Sequence, residues 1–391
     1  MKKRIAIIGR GTAGALALTH FYRWAPSNCE VEIYYDPAIK PQTVGEGSTL
    51  DIPSSLYTNI GFNHPELKHV DGSFKAGIWK TGWGDGTEYM HHFSPPSVAY
   101  HFNAVKLQEY ILNLLKDKVK IVEEHTTAST VDADYVMDCS GKPEFYEDFN
   151  LTESIPVNAV HVTQCYWDHA KFQYTLTLAR PYGWVFGIPL QNRCSIGYMY
   201  NSNINTLEEV KQDVLQVFAD YNLTPSTDHN TFGFKNYYRK QNFTDRIVYN
   251  GNASFFLEPL EATSLGLMNK ICKMSYDGWF NNINNDELNN NYTEFLKEIE
   301  TMIMLHYFSG SIFKTPFWEF AQARGAKIIA QAKHNSKFNQ FVEHSKLDLS
   351  TLMKPGFTGC DYGTWGKPSF KQNLENLKLY EKIASCESNI S

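Results

Sequence analysis

A glycine-rich turn between an apolar strand and an amphipathic helix lies near the first residues and restricts the fold more than any other feature. Residues 4–8 read R-I-A-I-I and lead into a G-x-G-x-x-G motif at residues 9–14, which a helical pattern of apolar residues follows. Glycines at these positions allow a tight turn and let a pyrophosphate reach the backbone N–H groups at the positive end of the helix. The sequence therefore predicts an α/β nucleotide-binding unit, with candidate contacts at Gly9, Gly11, Thr12, Ala13 and Gly14.

A second apolar strand and two later loops indicate which dinucleotide binds. The strand at residues 31–35 ends at Asp36, at the distance where an acidic residue binds a ribose hydroxyl in such units. The loop at residues 138–141, D-C-S-G, is suited to pass beneath a nucleotide, and residues 251–254, G-N-A-S, offer a third strand-to-helix turn. Three such loops imply a long, extended cofactor, so the pattern favours FAD over NAD.

Three polar segments carry further candidates. Residues 44–49, V-G-E-G-S-T, combine glycines with a carboxylate, and alone they are typical of an ordinary turn. Lys75 lies in a segment of strand-like alternation, where a lone lysine is most often solvated. Residues 258–264, E-P-L-E-A-T-S, place two carboxylates and two hydroxyl residues in a turn that enters a helix and is suited to hold an anion. Glu261 has the alternative role of stabilising exposed amides at the helix start.

Residues 181–190, P-Y-G-W-V-F-G-I-P-L, resemble the G-W-x-W-x-I-P motif of the flavin-dependent halogenases, which lie within the flavin monooxygenase superfamily. Phe186 stands where that motif has its second tryptophan. The resemblance covers residues 1 to about 320. Similar segments follow in the family's order at residues 9–14, 44–47, 74–75, 100–102, 138–141, 256–264, 305–307 and 315–318.

The resemblance implies an α/β fold in which a Rossmann-like, FAD-binding module of the flavin monooxygenase type carries an inserted β-sheet and a mainly helical C-terminal substrate region. We expect a discontinuous FAD-binding module at residues 1–50, 100–150 and 240–280. The halide and substrate module would then comprise residues 51–99, 151–239 and 281–391. Within it, the seven asparagines of residues 281–291 predict an exposed loop, and Thr206-x-x-Glu209 predicts a helix-capping box.

The resemblance also implies a reaction. In this family, reduced FAD, oxygen and a halide give hypohalous acid, which passes through an internal tunnel to a lysine that presents it to an aromatic ring. Lys75 matches that lysine and Glu261 matches the family's catalytic glutamate, while the amides of Thr263 and Ser264 match the halide site. Trp184, Phe186, Ile188 and Pro189 match the tunnel wall. The cofactor contacts implied in addition to the glycine turn are Asp36, Val44, Gly45, Glu46, Gly47, Val122, Asp138 and Leu265.

The length of the chain after Trp318 and the lack of an NADH-binding motif predict the class of substrate and the partner. Only about 70 residues follow Trp318, fewer than in halogenases of free tryptophan. We therefore expect a more open pocket for electron-rich aromatic molecules such as indoles, phenols and anilines, with chloride, bromide or iodide as the halide. Since no separate NADH-binding motif occurs, a flavin reductase is the expected partner, and a homo-oligomer is possible. The alternatives are a flavin-dependent aromatic hydroxylase and a non-catalytic FAD-binding protein.

The bulk composition narrows the class of partner. A net charge of -6 and a pI near 6.1 disfavour nucleic acid, because phosphate binding calls for clustered Lys and Arg. The seven cysteines contain no C-x-x-C pair and no zinc-ligand spacing, and His91-His92 has no partner at such spacing, so we predict no metal. The same cysteine usage predicts a reduced, cytoplasmic protein. No run approaches the roughly 18 apolar residues of a membrane helix, so no membrane partner is expected.

Overall fold

The structure is a computed structural model that describes residues 2–40, 45–93, 97–354, 356–357 and 361–386. Its strands are β1 (Lys3–Ile8), β2 (Cys29–Tyr34), β3 (Ser73–Lys75), β4 (Gly77–Thr81), β5 (Tyr89–His92), β6 (Ala99–His101), β7 (Lys120–Val122), β8 (Tyr135–Asp138), β9 (Phe149–Leu151), β10 (Ala159–Tyr166), β11 (Thr175–Arg180), β12 (Gly183–Pro189), β13 (Arg193–Tyr200), β14 (Pro225–Gly233), β15 (Tyr237–Arg239), β16 (Ile247–Tyr249), β17 (Phe255–Phe256), β18 (Asp361–Tyr362) and β19 (Trp365–Gly366).

The helices follow the same order. They are α1 (Thr12–Trp24), α2 (Asp51–Ile60), α3 (Ala104–Leu115), α4 (Leu207–Asp220), α5 (Thr263–Phe280), α6 (Asn285–Ser309), α7 (Pro316–Ala332), α8 (Ser336–His344), α9 (Leu349–Leu352), α10 (Lys367–Asn376) and α11 (Leu379–Ser385), with short 3-10 helices at His64–Val70, Gly251–Ala253 and Leu260–Ala262.

The chain divides into two compact units, each made of three stretches. The first unit comprises Met1–Phe74, Ala99–Leu151 and Tyr237–Glu294. The second comprises Lys75–Val98, Thr152–Asn236 and Phe295–Ser391. The assignment of FAD to one module and of halide and substrate to the other stays a prediction.

A five-stranded sheet with the order β16-β8-β1-β2-β7 forms the first unit, and all of its neighbouring strands are parallel. The apolar run of β1 is buried on both faces, as central strands of parallel sheets are. Ile8 pairs with both Tyr34 and Asp138. The turns that follow β1, β2 and β8 therefore lie along one edge of the sheet, where α/β folds bind their ligands.

The second unit contains the inserted sheet expected from the sequence, with seven strands in the order β14-β10-β13-β12-β11-β4-β5. Its strand pairs are antiparallel except β11 with β4. Val185 and Tyr198 belong to the same hydrophobic cluster as Val214 and Phe218 of α4. The predicted capping box at the start of α4 forms, because the Thr206 side chain accepts from the Glu209 N–H and Glu209 accepts from the Thr206 N–H.

The C-terminal stretch is mainly helical, as predicted, but the exposed loop expected at residues 281–291 is wrong. Helix α6 begins at Asn285. The side chain of Asn284 accepts a hydrogen bond from the Glu287 N–H at 2.8 Å, and acidic residues in the first turn favour the helix start. Asn289 is buried, and its side chain bonds the backbone of Asn242 and Phe243. Tertiary bonds thus make part of an asparagine-rich segment helical.

Candidate active site

The three glycines of the N-terminal turn have different structural roles. A Cβ added at Gly9, whose φ is +97°, would lie 2.4 Å from the Cys139 carbonyl oxygen, and one added at Gly14 would lie 1.9 Å from the Gly9 carbonyl oxygen. These two glycines are required by packing. A Cβ at Gly11 would meet no described atom within 4 Å. Gly11 therefore leaves the open side of the turn accessible to a ligand.

The start of α1 has the features of a phosphate site. Gly11 caps the helix without a side-chain hydrogen bond, and the first turn carries no acidic residue. The amides of Thr12 and Ala13 thus lie at the positive end of the helix, where an anion is stabilised.

Gln108 of α3 extends this site and was missed by the sequence analysis. It is buried, and its Nε2 donates to Thr12 Oγ1 at 3.0 Å, while its Oε1 has no hydrogen-bond partner among the described residues. A buried acceptor beside a phosphate turn suits a ribose hydroxyl. The available signal was a glutamine on the buried face of an amphipathic helix. Together these residues fit the adenosine diphosphate half of FAD.

Asp36 lies at the predicted edge, but its carboxylate already has protein partners. One oxygen accepts from the Ala38 N–H at 2.8 Å, and the other lies 3.7 Å from His125 Nδ1. Val122 ends β7 at the same edge, paired with Tyr34. Val44, another predicted cofactor contact, lies outside the described residues.

The other two predicted loops meet the glycine turn. The Asp138 carboxylate accepts from the Ser140 N–H at 2.9 Å, and the Asp138 carbonyl accepts from the Asn250 N–H at 2.8 Å. A Cβ added at Gly251 would lie 2.7 Å from the Ala13 Cβ. Loops separated by more than a hundred residues in sequence are thus neighbours at one edge of the sheet.

The segment at residues 45–47 packs against the start of α5. A Cβ at Gly47 would lie 3.6 Å from the Ala262 Cβ, and one at Gly45 would lie 3.7 Å from Leu265 Cδ1. Glu46, between them, is buried. The structure therefore brings together two groups of predicted site residues that lie about two hundred positions apart.

The turn before α5 has an unusual backbone. Glu261 (φ 70°, ψ 6°) and Ala262 (φ 55°, ψ 36°) are consecutive left-handed residues, and neither is glycine. The Ala262 N–H donates to the Pro259 carbonyl at 2.8 Å, and α5 then begins at Thr263 with no side-chain cap and no acid in its first turn. A left-handed residue followed by a helical one makes a concave group of amides. The amides of Thr263 and Ser264 therefore fit a small anion. Glu261, two positions before Thr263, is buried.

Lys75, at the end of β3, is only 1% exposed, in contrast to the usual solvated lysine. Its Nζ lies 5.6 Å from the centroid of the Phe93 ring, within the range of a cation–π interaction. The Ala76 N–H donates to the Gln173 carbonyl at 2.8 Å, and the Ala76 carbonyl accepts from the Phe93 N–H at 3.3 Å. The bond between Ala76 and Phe93 keeps the backbone next to Lys75 close to Phe93, so that the two side chains are in contact.

Strand β12 places three of the four predicted wall residues on one face. Trp184, Phe186 and Ile188 alternate with Val185, which faces the hydrophobic cluster on the other side, and alternation puts Pro189 on the Val185 side. The Trp184 and Phe186 ring centroids are 6.1 Å apart. A Cβ added at Gly197 of β13 would lie 2.0 Å from Phe186 Cζ, so the phenyl ring covers this glycine.

The start of α7 fixes the backbone just before β12. Thr315 Oγ1 donates to the Pro181 carbonyl at 2.7 Å, and Trp318 Nε1 donates to the Arg180 carbonyl at 2.8 Å. The T-P-F-W segment at residues 315–318 therefore fixes the backbone where the chain enters β12.

A chain of aromatic contacts, which the sequence analysis did not predict, leads away from Lys75. The Phe93 and His91 centroids are 5.8 Å apart at 83°, and His91 lies 6.2 Å from Trp365 at 85°. Both angles are edge-to-face geometry. Strand-like alternation at residues 89–93, Y-M-H-H-F, places His91 and Phe93 on the same side of the chain. No local pattern in the sequence identified Trp365.

The described part of the chain contains no group of three or more His, Cys, Asp or Glu side chains that could hold a metal ion. None of its helices is long and apolar enough to cross a membrane.

A family model and two relatives point to the same family. The sequence model of the family described as tryptophan halogenase matches residues 4–124 and 97–348. Tryptophan 6-halogenase ThaL of Streptomyces albogriseolus is 20% identical over 417 residues, which cover 81% of this chain and 78% of that protein. Tryptophan 7-halogenase RebH of Lentzea aerocolonigenes is 21% identical over 416 residues, with the same coverage of 81% and 78%.

Solved structures share the fold over nearly the whole chain. The tryptophan halogenase of Shewanella frigidimarina has a TM-score of 0.77 at 16% identity and covers 98% of this chain and 93% of its own. BrvH, a flavin-dependent halogenase of Brevundimonas sp. BAL3, has a TM-score of 0.74 at 18% identity, with coverage of 99% and 93%. The α/β fold with a parallel N-terminal sheet, an inserted sheet and a helical C-terminal region is therefore confirmed.

Proposed function

The chain belongs to the tryptophan halogenase family of FAD-dependent enzymes, and from this we propose that it halogenates electron-rich aromatic small molecules at Lys75. The observation that carries the proposal is the burial of Lys75 at a strand end, with its ammonium against the Phe93 ring. The ammonium of a lysine held in this way is shielded from water and has a fixed orientation, and delivery of a reactive halogen requires both.

The edge of the parallel sheet would hold the cofactor. Gly11 and the amides of Thr12 and Ala13 would take the pyrophosphate, and Gln108 would bind a ribose hydroxyl. Gly45 to Gly47 and Leu265 would contact the flavin end. Bound reduced FAD would supply the two electrons with which oxygen converts halide to hypohalous acid.

The turn before α5 would bind the halide. Its support is the pair of left-handed residues that leads into the uncapped first turn of α5. Backbone N–H groups attract a monatomic anion without demanding a particular coordination geometry. The amides of Thr263 and Ser264 would therefore accept chloride, bromide or iodide.

Lys75 and Glu261 would carry out the transfer to substrate. The Lys75 ammonium would donate a hydrogen bond to hypohalous acid, or form a haloamine, and so present the halogen to the ring. The Glu261 carboxylate would accept the proton that the ring loses on substitution. The net change would be replacement of a ring C–H by carbon–halogen, with release of water.

Strand β12, the wall strand, would line the tunnel through which hypohalous acid passes. Trp184, Phe186 and Ile188 share one face of β12, which supports this role. Phe186 keeps the wall apolar but has no indole N–H to donate. The tunnel therefore has one hydrogen-bond donor fewer than the family motif provides.

The contact chain from Lys75 through Phe93 and His91 to Trp365 supports an aromatic substrate. Ring edges and faces of this kind position a flat, electron-rich ring by stacking and edge-to-face contact. ThaL and RebH are named as tryptophan halogenases. For this chain we propose indoles, phenols and anilines, with reduced FAD supplied by a separate flavin reductase.

A Lys75→Ala variant tests the proposal. With reduced FAD, oxygen and bromide, the variant should still oxidise bromide, detected with a freely diffusing halogen trap. With the trap in excess, so that it consumes free hypobromous acid, the variant should lose brominated products from a panel of indoles, phenols and anilines by at least about 100-fold in mass spectrometry, because the halogen is no longer oriented. Lys367→Ala removes another buried lysine and should behave like the wild type.

Two outcomes would contradict the assignment. Undiminished aromatic bromination by Lys75→Ala would remove the lysine from the mechanism. Hydroxylated products from the wild type, formed equally with and without bromide, would identify an aromatic monooxygenase instead.

A further inference from the structure

Lys80 is a second buried lysine, and the mechanism above does not use it. It lies on β4, is 0% exposed, and its Nζ is 2.7 Å from His306 Nε2 and 2.7 Å from Asn373 Oδ1. The Tyr89 and Trp365 ring centroids lie 5.7 Å and 5.6 Å from the same nitrogen. One ammonium thus joins strand β4 to α6, to α10 and to the ring of Trp365.

The hydrogen bonds around Lys80 have a defined direction. His306 Nδ1 lies 2.9 Å from the Met302 carbonyl, which can only accept, so Nδ1 carries the proton and Nε2 accepts from Lys80. Asn373 Nδ2 donates to the Ser369 carbonyl at 3.0 Å, which leaves Oδ1 to accept from Lys80 and from the Tyr89 hydroxyl, 3.0 Å away. The ammonium is therefore held at one point by partners with fixed orientations.

The network ends at Trp365. The hairpin that carries this ring is fastened to α6, since the Gly363 N–H donates to Glu298 at 2.8 Å and Gly363, at φ +58°, would place a Cβ 2.3 Å from Met302 Sδ. The Trp365 ring lies 5.6 Å from His306 on one side and 6.2 Å from His91 on another. His91 leads to Phe93 and then to Lys75, so Trp365 lies between the Lys80 network and the proposed site of halogen transfer.

Stability alone does not require a cation at this position. Removing an ammonium from water is costly, and a buried charge can often be replaced together with its partners by apolar residues of similar volume without loss of stability. What a cation adds is a set of directional bonds and an attraction to ring faces. Its contribution here is the fixed orientation of Trp365.

We propose that Lys80 is a positioning residue that holds Trp365 and thereby sets how an aromatic substrate lies relative to Lys75. This inference rests on the proposed halogenase function. Lys80 would affect how tightly the aromatic substrate binds and which of its ring carbons is halogenated. It would have no part in halide oxidation.

The test compares Lys80→Met with Lys367→Met in the full-length enzyme loaded with reduced FAD. Methionine has a similar length and no charge. Lys367 is a matched control, because it is also buried, donates to the Phe357 carbonyl at 3.0 Å and lies 5.7 Å and 5.2 Å from the Phe341 and Phe357 rings, which are not in the chain to Lys75.

For Lys80→Met we expect a 10- to 100-fold lower kcat/KM for the best aromatic substrate, about the loss that misplacement of a substrate causes. The loss should appear mainly in KM, together with a more mixed set of product isomers. Bromide oxidation by the diffusible trap assay should stay at the wild-type value, whereas the melting temperature should fall, because His306 Nε2 and Asn373 Oδ1 lose a buried donor. Lys367→Met should match the wild type in kcat/KM, isomer ratio and bromide oxidation.

The outcomes separate the two proposals. Unchanged KM and isomer ratio in Lys80→Met would overturn the positioning role, provided that the trap reports bromide oxidation. Absence of bromide oxidation in the wild type would instead overturn the halogenase function. If Lys80→Met does not fold, Asn373→Leu, which keeps the lysine but removes one acceptor, decides by the same criterion of KM and isomer ratio.

Discussion

At the scale of single residues, the most informative positions are Glu261 and Ala262. Two consecutive left-handed residues that are not glycine cost free energy, and such strain concentrates where backbone amides are directed at a ligand. Here they direct the chain into α5. We interpret this strain as the means by which the Thr263 and Ser264 amides are exposed to a halide.

Ala262→Gly tests the strain directly. Glycine removes a left-handed penalty of about 1–2 kcal/mol and adds unfolded-state entropy worth about 0.4–1 kcal/mol. The free energy of unfolding in urea should therefore stay equal or rise by about 1 kcal/mol. Ala323→Gly, at an exposed position inside α7, should lose about 1 kcal/mol. Equal losses in both variants would show that Ala262 is not strained.

His20 makes the stability of the fold depend on pH. Burial lowers the pKa of His20 to about 4, with a smaller contribution from Lys273. Between pH 6.5 and pH 4 the unfolded chain binds a proton that the fold excludes, so stability should fall as the pH falls through this window. The loss should reach about 2 kcal/mol at pH 5.

A comparison of His20→Leu with His334→Leu checks this prediction. Urea unfolding at pH 8 and pH 5 should show a smaller pH dependence in His20→Leu than in the wild type. His334 is exposed, and its substitution should leave the pH dependence unchanged. An unchanged pH dependence in His20→Leu would contradict the role of His20.

At the scale of elements, the strand–turn–helix unit of β1 and α1 separates packing from binding. Gly9 and Gly14 have no room for a Cβ, whereas Gly11 has room on the side of the expected pyrophosphate. One motif therefore contains residues fixed by the fold and a residue fixed by the ligand.

Gly11→Ala and Gly14→Ala should separate these roles. Gly14→Ala forces a Cβ to 1.9 Å from the Gly9 carbonyl oxygen and should destabilise the fold by about 1–3 kcal/mol. Gly11→Ala should change stability by less than about 0.5 kcal/mol but weaken FAD binding by at least about tenfold, measured by flavin fluorescence. Undiminished FAD affinity in Gly11→Ala would place the pyrophosphate elsewhere.

Helix α6 and strand β12 show which elements a local pattern predicts. The alternation of β12 is a local property, so the shared face of Trp184, Phe186 and Ile188 could be expected from sequence. The start of α6 has a local signal in the Asn284 cap and the acidic first turn, but the asparagine-rich composition favoured a loop, and Asn289 is held in the helix by backbone groups of a distant segment. Asparagine has a weak intrinsic helix propensity, and tertiary bonds outweigh it here.

At the scale of the whole molecule, each predicted function can be assigned to one of the two compact units. The three nucleotide loops and the strained turn belong to the first unit, whereas Lys75, the wall strand and the aromatic chain belong to the second. The division into an FAD-binding module and a halide and substrate module, expected from the sequence, stays a prediction.

FAD binding should therefore stabilise the first unit. At a free FAD concentration about 100 times the Kd, the free energy of unfolding should rise by about 2.7 kcal/mol. Hydrogen exchange should slow mainly in residues 1–74, 99–151 and 237–294, and the effect should be weaker in Gly11→Ala. Slower exchange confined to the second unit would contradict the assignment of the cofactor site.

The sequence by itself determined the parallel nucleotide sheet, the membership in a halogenase family and the candidate residues. It did so because turn glycines, strand alternation and helix starts depend on neighbours within a few positions. Only the tertiary structure decided that Lys75 is buried, that Gly47 packs against Ala262, and that Lys80 is joined to Trp365. Burial and contact between distant segments depend on how the whole chain packs, and no local pattern records them.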